Sequence, residues 1–212
     1  MQTTIKFFTC INNALIMKTL HGLTIVGAGC QDKRLNIFFT EYNDGTRIMF
    51  RQSRKPDSGD CRVARKKISD DNWERYRRRN VDQIIYDMKY RCKMPLYKGE
   101  CPGILPLIIE LDGDIVGFSD VFFNTGEYFS RYKVEPESKC CNGSIIAVDK
   151  YQGLGIGTAY ASTSNAIGRH YGCTYILGTT FMKSGMYQIR QKDGCVTTRK
   201  YTNGMVDHKK RL

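Results

Sequence analysis

The most constraining feature of this chain is the run Val148-Asp149-Lys150-Tyr151-Gln152-Gly153-Leu154-Gly155-Ile156-Gly157. An apolar stretch, Ser144-Ile145-Ile146-Ala147-Val148, leads into it with strand character, and Ile156 to Tyr171 reads as a helix beyond it. Alternate glycines between a strand and a helix let the backbone adopt strained conformations and approach a ligand closely. The first N–H groups of a helix lack intrahelical partners and the dipole there is positive, so the turn suits phosphate. Thr158 adds a hydroxyl donor. Spacing sets the turn apart from two other phosphate loops. No Gly-Lys-Ser/Thr follows, as a P-loop requires. The glycines run G-x-G-x-G, with Tyr160 at the position the dinucleotide fingerprint reserves for glycine.

The rest of the chain mixes strands and helices without strict alternation, which places it in the α+β class. Residues 35–42 and 46–50 flank Asn43-Asp44-Gly45 and predict a hairpin, because Asp-Gly accepts positive φ. Ser53 to Asp60 reads as a polar loop. Ser69-Asp70-Asp71 opens a helix with a capping serine and acids at the positive end of the dipole, ending before Pro95. Trp73, Tyr76, Val81, Ile84, Ile85 and Met88 give that helix an apolar stripe. From Gly103 a regular sheet is expected: strands at 104–111 and 115–123 joined by Asp112-Gly113-Asp114, then 144–148 and 174–180. A short helix follows at 184–192, and a strand pair around Thr202-Asn203-Gly204. We therefore divide the chain into a basic elaboration, 1–98, packed on a core, 99–212.

The formal net charge is +12, and its distribution is uneven. Residues 1–98 hold 20 Lys/Arg against 10 Asp/Glu, the remainder 13 against 11. The densest part includes Arg62, Arg65, Lys66, Lys67, Arg75, Arg77, Arg78 and Arg79, an excess that attracts polyanions and points to DNA or tRNA. A solvated basic face is the plainer alternative. The nine cysteines include no Cys-x-x-Cys pair, and only three histidines accompany them, so no metal site is expected. Reduced thiols acting as small hydrophobes are the expectation, with Cys140-Cys141 left open as a metal or redox pair. No apolar run reaches the 18 or so residues of a membrane span, and 5–10 is too short for a secretory signal. A cytoplasmic protein with no membrane partner is expected, in the host cytoplasm if phage-encoded.

The run from Val148 to Gly157 resembles motif A of the GNAT superfamily of N-acyltransferases, Gln/Arg-x-x-Gly-x-Gly/Ala after an apolar strand. The resemblance spans about residues 103–195. It implies a GNAT-like mixed, splayed central β-sheet flanked by helices. It implies that Gln152, Gly153, Leu154, Gly155, Ile156, Gly157 and Thr158 cradle the pyrophosphate of acetyl-CoA or another acyl-CoA. It also implies that the backbone around Ile146 and Val148 pairs with the pantetheine arm. Family members end on Tyr-x-Lys-x-Gly-Phe, with the tyrosine as general acid to the coenzyme thiolate. Here the stretch is Arg190-Gln191-Lys192-Asp193-Gly194-Cys195, so Arg190 holds the tyrosine position, and Tyr187 lies one helical turn earlier.

Acyl transfer to an amine needs a base, an oxyanion donor and an acid for the thiolate. The candidates are Asp120, on the strand face it shares with Phe118 and Phe122, Asp149 at the turn, Tyr160 in the first part of the helix, and Tyr187. An acid among aromatics would have a raised pKa. With the basic first half and its aromatics, the expected acceptor is nucleic acid, a DNA base or aminoacyl-tRNA. In charge and layout the chain is similar to phage Mom-type DNA-modification proteins. A protein lysine or small amine is the alternative acceptor, and a non-catalytic DNA-binding module on the same fold is a third reading.

Overall fold

The computed structural model describes residues 23–32, 36–52, 58–75 and 103–212. Nine strands form one sheet: β1 (Ile25–Asp32), β2 (Ile37–Tyr42), β3 (Arg47–Gln52), β4 (Ile104–Leu111), β5 (Asp114–Thr125), β6 (Lys139–Ala147), β7 (Tyr175–Phe181), β8 (Val196–Lys200) and β9 (Met205–Arg211). Their order is β1-β2-β3-β4-β5-β6-β7-β9-β8. Neighbours pair antiparallel except β6 and β7, which are parallel. Four helices are described: α1 (Ser58–Arg65), α2 (Asp70–Arg75), α3 (Ile156–His170) and α4 (Gly185–Lys192).

The expected hairpin forms at β2 and β3, with Gly45 at φ 80° in the turn. Its strands continue into β4, so the first half of the chain contributes to the same sheet as the second. Three elements depart from expectation. β1 adds an edge strand where none was expected. α1 begins within the stretch read as a polar loop, because Ser53 to Asp60 carries no apolar residue to mark a helix face. β6 begins at Lys139, inside the segment read as a connection; Cys140 and Cys141 are fully buried there and act as core residues. Burial pushes the Cys140 thiol up to about 12. The five cysteines among the described residues with assigned state are free thiols.

The helix opened by Asp70 is described only to Arg75. The side chains of Trp73 and Arg75, and Tyr76, Arg77, Arg78, Arg79, Val81, Ile84, Ile85 and Met88 entirely, lie outside the described residues.

The core divides into a large apolar layer and a smaller cluster around Tyr132, Cys140 and Leu177. Phe38, Ile48, Phe50, Leu107, Ile108, Ile109 and Val116 are fully buried and pack with Ile156, Ala159 and Ile167 of α3. Hydrophobic burial at about 25 cal/mol per Å² makes this layer the main favourable contribution to stability. Polar pins fix where α3 lies: Thr40 Oγ1 donates to Ala159 O at 3.0 Å and contacts Thr163 Oγ1 at 2.6 Å. Among the described residues no helix is long and apolar enough to cross a membrane.

Candidate functional site

The parallel pairing of β6 with β7 is short. It covers Cys140–Tyr175, Cys141–Ile176 and Asn142–Leu177, after which the strands separate. Gly143 to Ala147 remain paired to β5 on their other side. One edge of β6 therefore faces a wedge in the sheet, with backbone groups available to a ligand.

At the wide end of the wedge lies the glycine turn. Gly153 and Gly155 have φ of 76° and 99°, a region that side-chain-bearing residues rarely adopt. Gly155 is the N-cap of α3, and no side chain caps the helix there. Its first N–H groups are thus left to the groove. Gln152 Nε2 braces the approach, donating to Ala147 O and Asp149 Oδ1, each at 3.2 Å. The groove has a volume of about 760 Å³ and runs past Ile145, Ala147, the Gln152–Thr158 turn and α4. An uncapped helix end with glycine backbone fits a pyrophosphate, and the open strand edge fits an extended amide-bearing arm.

Sequence reasoning missed part of this groove. Gly185, Gln188, Ile189 and Lys192 of α4 line it, an i, i+3, i+4, i+7 stripe legible as one helix face. Leu23, just before β1, Ile25 of β1 and Tyr42 of β2 close it. The side chains of Ile146 and Val148, whose backbone was expected beside the pantetheine arm, are buried; Ile145 and Ala147 present theirs to the groove.

The two faces of the wedge differ in chemistry. On the groove side, Tyr160 of α3 lies against Gly143, and His208 of β9 lies against Gly178. On the opposite face, Ser144 Oγ donates to the carboxylate of Asp120, which is 4% exposed. Beside them Asn142 Nδ2 donates to Tyr132 Oη at 3.0 Å, and Tyr132 Oη contacts Thr179 Oγ1 at 2.8 Å. Thr179 Oγ1 and Tyr201 Oη donate to the fully buried Asp207 at 2.5 and 2.6 Å. This chain bridges β6, β7 and β9 on the face away from the groove.

The other sequence candidates lie elsewhere. Asp149 accepts from Ser69 N at 3.0 Å and Asn72 Nδ2 at 2.9 Å, tying the glycine turn to α2. The Asn72 bond, with Ser69, holds its carboxyl below the ordinary range. Tyr187 Oη meets Thr197 Oγ1 of β8 at 3.2 Å, whereas Arg190 reaches back to α3. Of the basic residues, Arg62, Lys66 and Lys67 are exposed on and after α1, while Arg65 caps Ile68 O at 2.9 Å and pairs with Asp70.

His208 carries a testable consequence. Burial, then the Arg190 charge, lowers its pKa from 6.5 to about 4. The folded protein holds it neutral, so between those values the unfolded chain binds the extra proton. Stability is therefore full above pH 6.5 and declines as the pH falls toward 4, by up to about 3 kcal/mol. Denaturant midpoints measured from pH 7 to 4 should fall more steeply for the wild type than for His208→Gln.

No family model and no curated protein sequence matches the chain. Solved structures do resemble it. The GNAT domain of S. lividans PAT superposes with a TM-score of 0.62 at 14% identity, over 83% of this chain and 97% of that one. RimL, a ribosomal L7/L12 α-N-protein acetyltransferase, gives 0.54 at 12% identity over 78% and 90%. The aminoglycoside acetyltransferase AAC(6')-Ib, in complex with coenzyme A and kanamycin, gives 0.54 at 12% over 77% and 94%. The chain has the GNAT acetyltransferase fold, as the glycine turn led us to expect. The resemblance to Mom-type proteins has no counterpart in these likenesses.

Proposed function

We propose that this chain is an acyl-CoA-dependent N-acyltransferase acting on a primary amine of a protein or small molecule. The observation that carries this reading is the parting of β6 from β7 beside an uncapped helix N-terminus, with a groove joining the two. Bound acyl-CoA supplies an acyl group activated as a thioester. The N–H groups of the Gly153–Thr158 turn hold its pyrophosphate, and Lys192 adds a cation at the rim of the groove. The free edge of β6 aligns the arm. On the opposite face the Asp120–Ser144 pair accepts the proton that the amine must lose. Asp149 and Tyr187 brace the turn and α4.

Two observations favour a cationic amine over the nucleic acid suggested by the charge. The face opposite the groove carries the buried carboxylate of Asp120, which attracts an ammonium group and repels a phosphodiester, while Asp207 beside it is paired with Arg131 at 3.8 Å. The structural neighbours that act on identified substrates act on a ribosomal protein and an aminoglycoside.

The test has two arms. Calorimetry with acetyl-CoA should show binding by the wild type and about 10- to 100-fold weaker binding by Gly155→Glu, which sets a carboxylate at the anion site. Labelled acetyl-CoA should then acetylate a free-N-terminus peptide, a lysine peptide or an aminoglycoside, and leave duplex DNA and tRNA unlabelled. A wild type that does not bind the coenzyme sinks the proposal. Label on nucleic acid alone overturns the choice of acceptor.

A further inference from the structure

Arg190 is 3% exposed, and the carboxylate it pairs with is shared with a second cation. Nη2 donates to Ser164 Oγ at 3.2 Å, and Nη1 makes no hydrogen bond. The nearest carboxylate is Asp193, with Oδ2 3.8 Å from Nη1. Asp193 already accepts Lys210 Nζ at 2.9 Å and the Asn165 amide at 3.0 and 3.1 Å. One acid thus serves two cations, of which Arg190 is the more deeply buried and the more loosely held. Such a charge costs several kcal/mol unless something anionic meets it.

Other buried polar side chains stand close by. The guanidinium lies 5.4 Å from the centre of the Tyr160 ring, whose hydroxyl has the Ser119 side chain as a neighbour. Both ring nitrogens of His208 lack a hydrogen-bond partner. Tyr160 Oη sits against Gly143 and the His208 ring against Gly178. Those glycines are the first residues past the last β6–β7 pair, one on each side of the apex of the wedge. Both contacts lie on the groove face. A Cβ at either glycine would fill the space, so the two glycines keep the apex open to these side chains.

We propose that Arg190, Tyr160 and His208 form a buried thiolate-binding site, in which Arg190 holds the coenzyme sulfur as an anion. The assignment rests on the acyl-CoA reading above. From Ala147 at the turn to Gly143 at the apex, the strand runs about 13 Å, within the reach of an extended pantetheine arm. Burial keeps Tyr160 protonated, and the Arg190 charge opposes that rise, so the phenol serves as a hydrogen-bond donor to sulfur. His208 is neutral and supplies one N–H.

In the transfer, the ammonium first gives one proton to water; the neutral amine nitrogen then bonds to the carbonyl carbon, and the carbon–sulfur bond breaks with its electron pair remaining on sulfur. The nitrogen's proton passes through Ser144 to Asp120. Arginine does not deprotonate, so the sulfur departs as thiolate and takes a proton from water on release. Asp193, paired with Lys210, Cys195 beside Arg190, Cys141 of β6, Asp120 across the sheet and Asp207 next to His208 are the remaining titratable or charged neighbours of the cluster.

The experiment is an ultraviolet titration of the thiolate of bound coenzyme A, read as the difference from its S-methyl thioether. In the wild type the bound thiol should titrate about one to three units below the free thiol. Arg190→Gln should abolish that shift, and Arg190→Lys should keep part of it. In turnover, Arg190→Gln should lower kcat about 100-fold with little change in KM for acetyl-CoA, because the charge develops only in the transition state. A wild-type thiol that titrates at its free value overturns the proposal, as does an Arg190→Gln protein that shifts it like the wild type. If Arg190→Gln does not fold, the wild-type titration still decides, and Tyr160→Phe should raise the bound thiol by a smaller step. Failure of the wild type to bind coenzyme A at all instead removes the acyltransferase reading itself.

Discussion

Asp120→Asn should lower kcat by roughly 10²- to 10⁴-fold and leave the KM for acetyl-CoA unchanged. The substitution keeps shape and an oxygen to accept the Ser144 hydroxyl, so the strand pairing of β5 and β6 survives. What it removes is the place for a proton. The coenzyme groove runs along Ile145 and Ala147, whereas Asp120 and Ser144 share the other face, so coenzyme binding should not sense the change. Ser144→Ala should give a smaller loss by cutting the relay but sparing the carboxylate. Steady-state kinetics with amine and acetyl-CoA varied in turn separates these effects. Turnover of Asp120→Asn at the wild-type rate would assign the proton to water and leave Asp120 a structural role.

Gly143→Ala is expected to be the most damaging small substitution in the wedge, costing about 4 kcal/mol or more of stability. An added methyl would overlap Tyr160 Oη and come within 2.7 Å of the Asp120 backbone oxygen. The phenol can rotate or be removed; the backbone of the neighbouring strand cannot yield without disturbing the β5–β6 ladder. Combining Gly143→Ala with Tyr160→Phe should therefore recover only part of the loss, a coupling that urea denaturation of the four proteins in the cycle measures. Full recovery would show that the hydroxyl alone set the limit. No loss in the single variant would show that the apex is looser than its contacts indicate.

Local patterns made much of this molecule legible. The Asp-Gly turn, the apolar runs from Ile104 onward and the helix after Gly155 all fall where periodicity and turn chemistry put them, because each depends on neighbours along the chain. β6 was read too short, since its first residues are polar or thiol-bearing and only tertiary burial of Cys140 and Cys141 makes them strand. α1 was lost because its first residues, Ser58, Gly59 and Asp60, carry no apolar pattern. Asp207 could not be found at all, because the partners that mark it, Thr179 of β7 and Tyr201 just after β8, are brought to it only by strand pairing.

The Gln152–Gly157 turn shows where the boundary falls. By itself the sequence determined the strand, the positive-φ glycines and the helix start, because steric freedom and unpaired N–H groups are local properties. Only the tertiary structure decided what stands beside them. The parting of β6 from β7, the burial of Arg190 beside a carboxylate it shares with Lys210, and the placing of Asp120 on the far face all arise from strand order and packing. Those depend on which surfaces meet, and that is a long-range outcome no window of the chain contains.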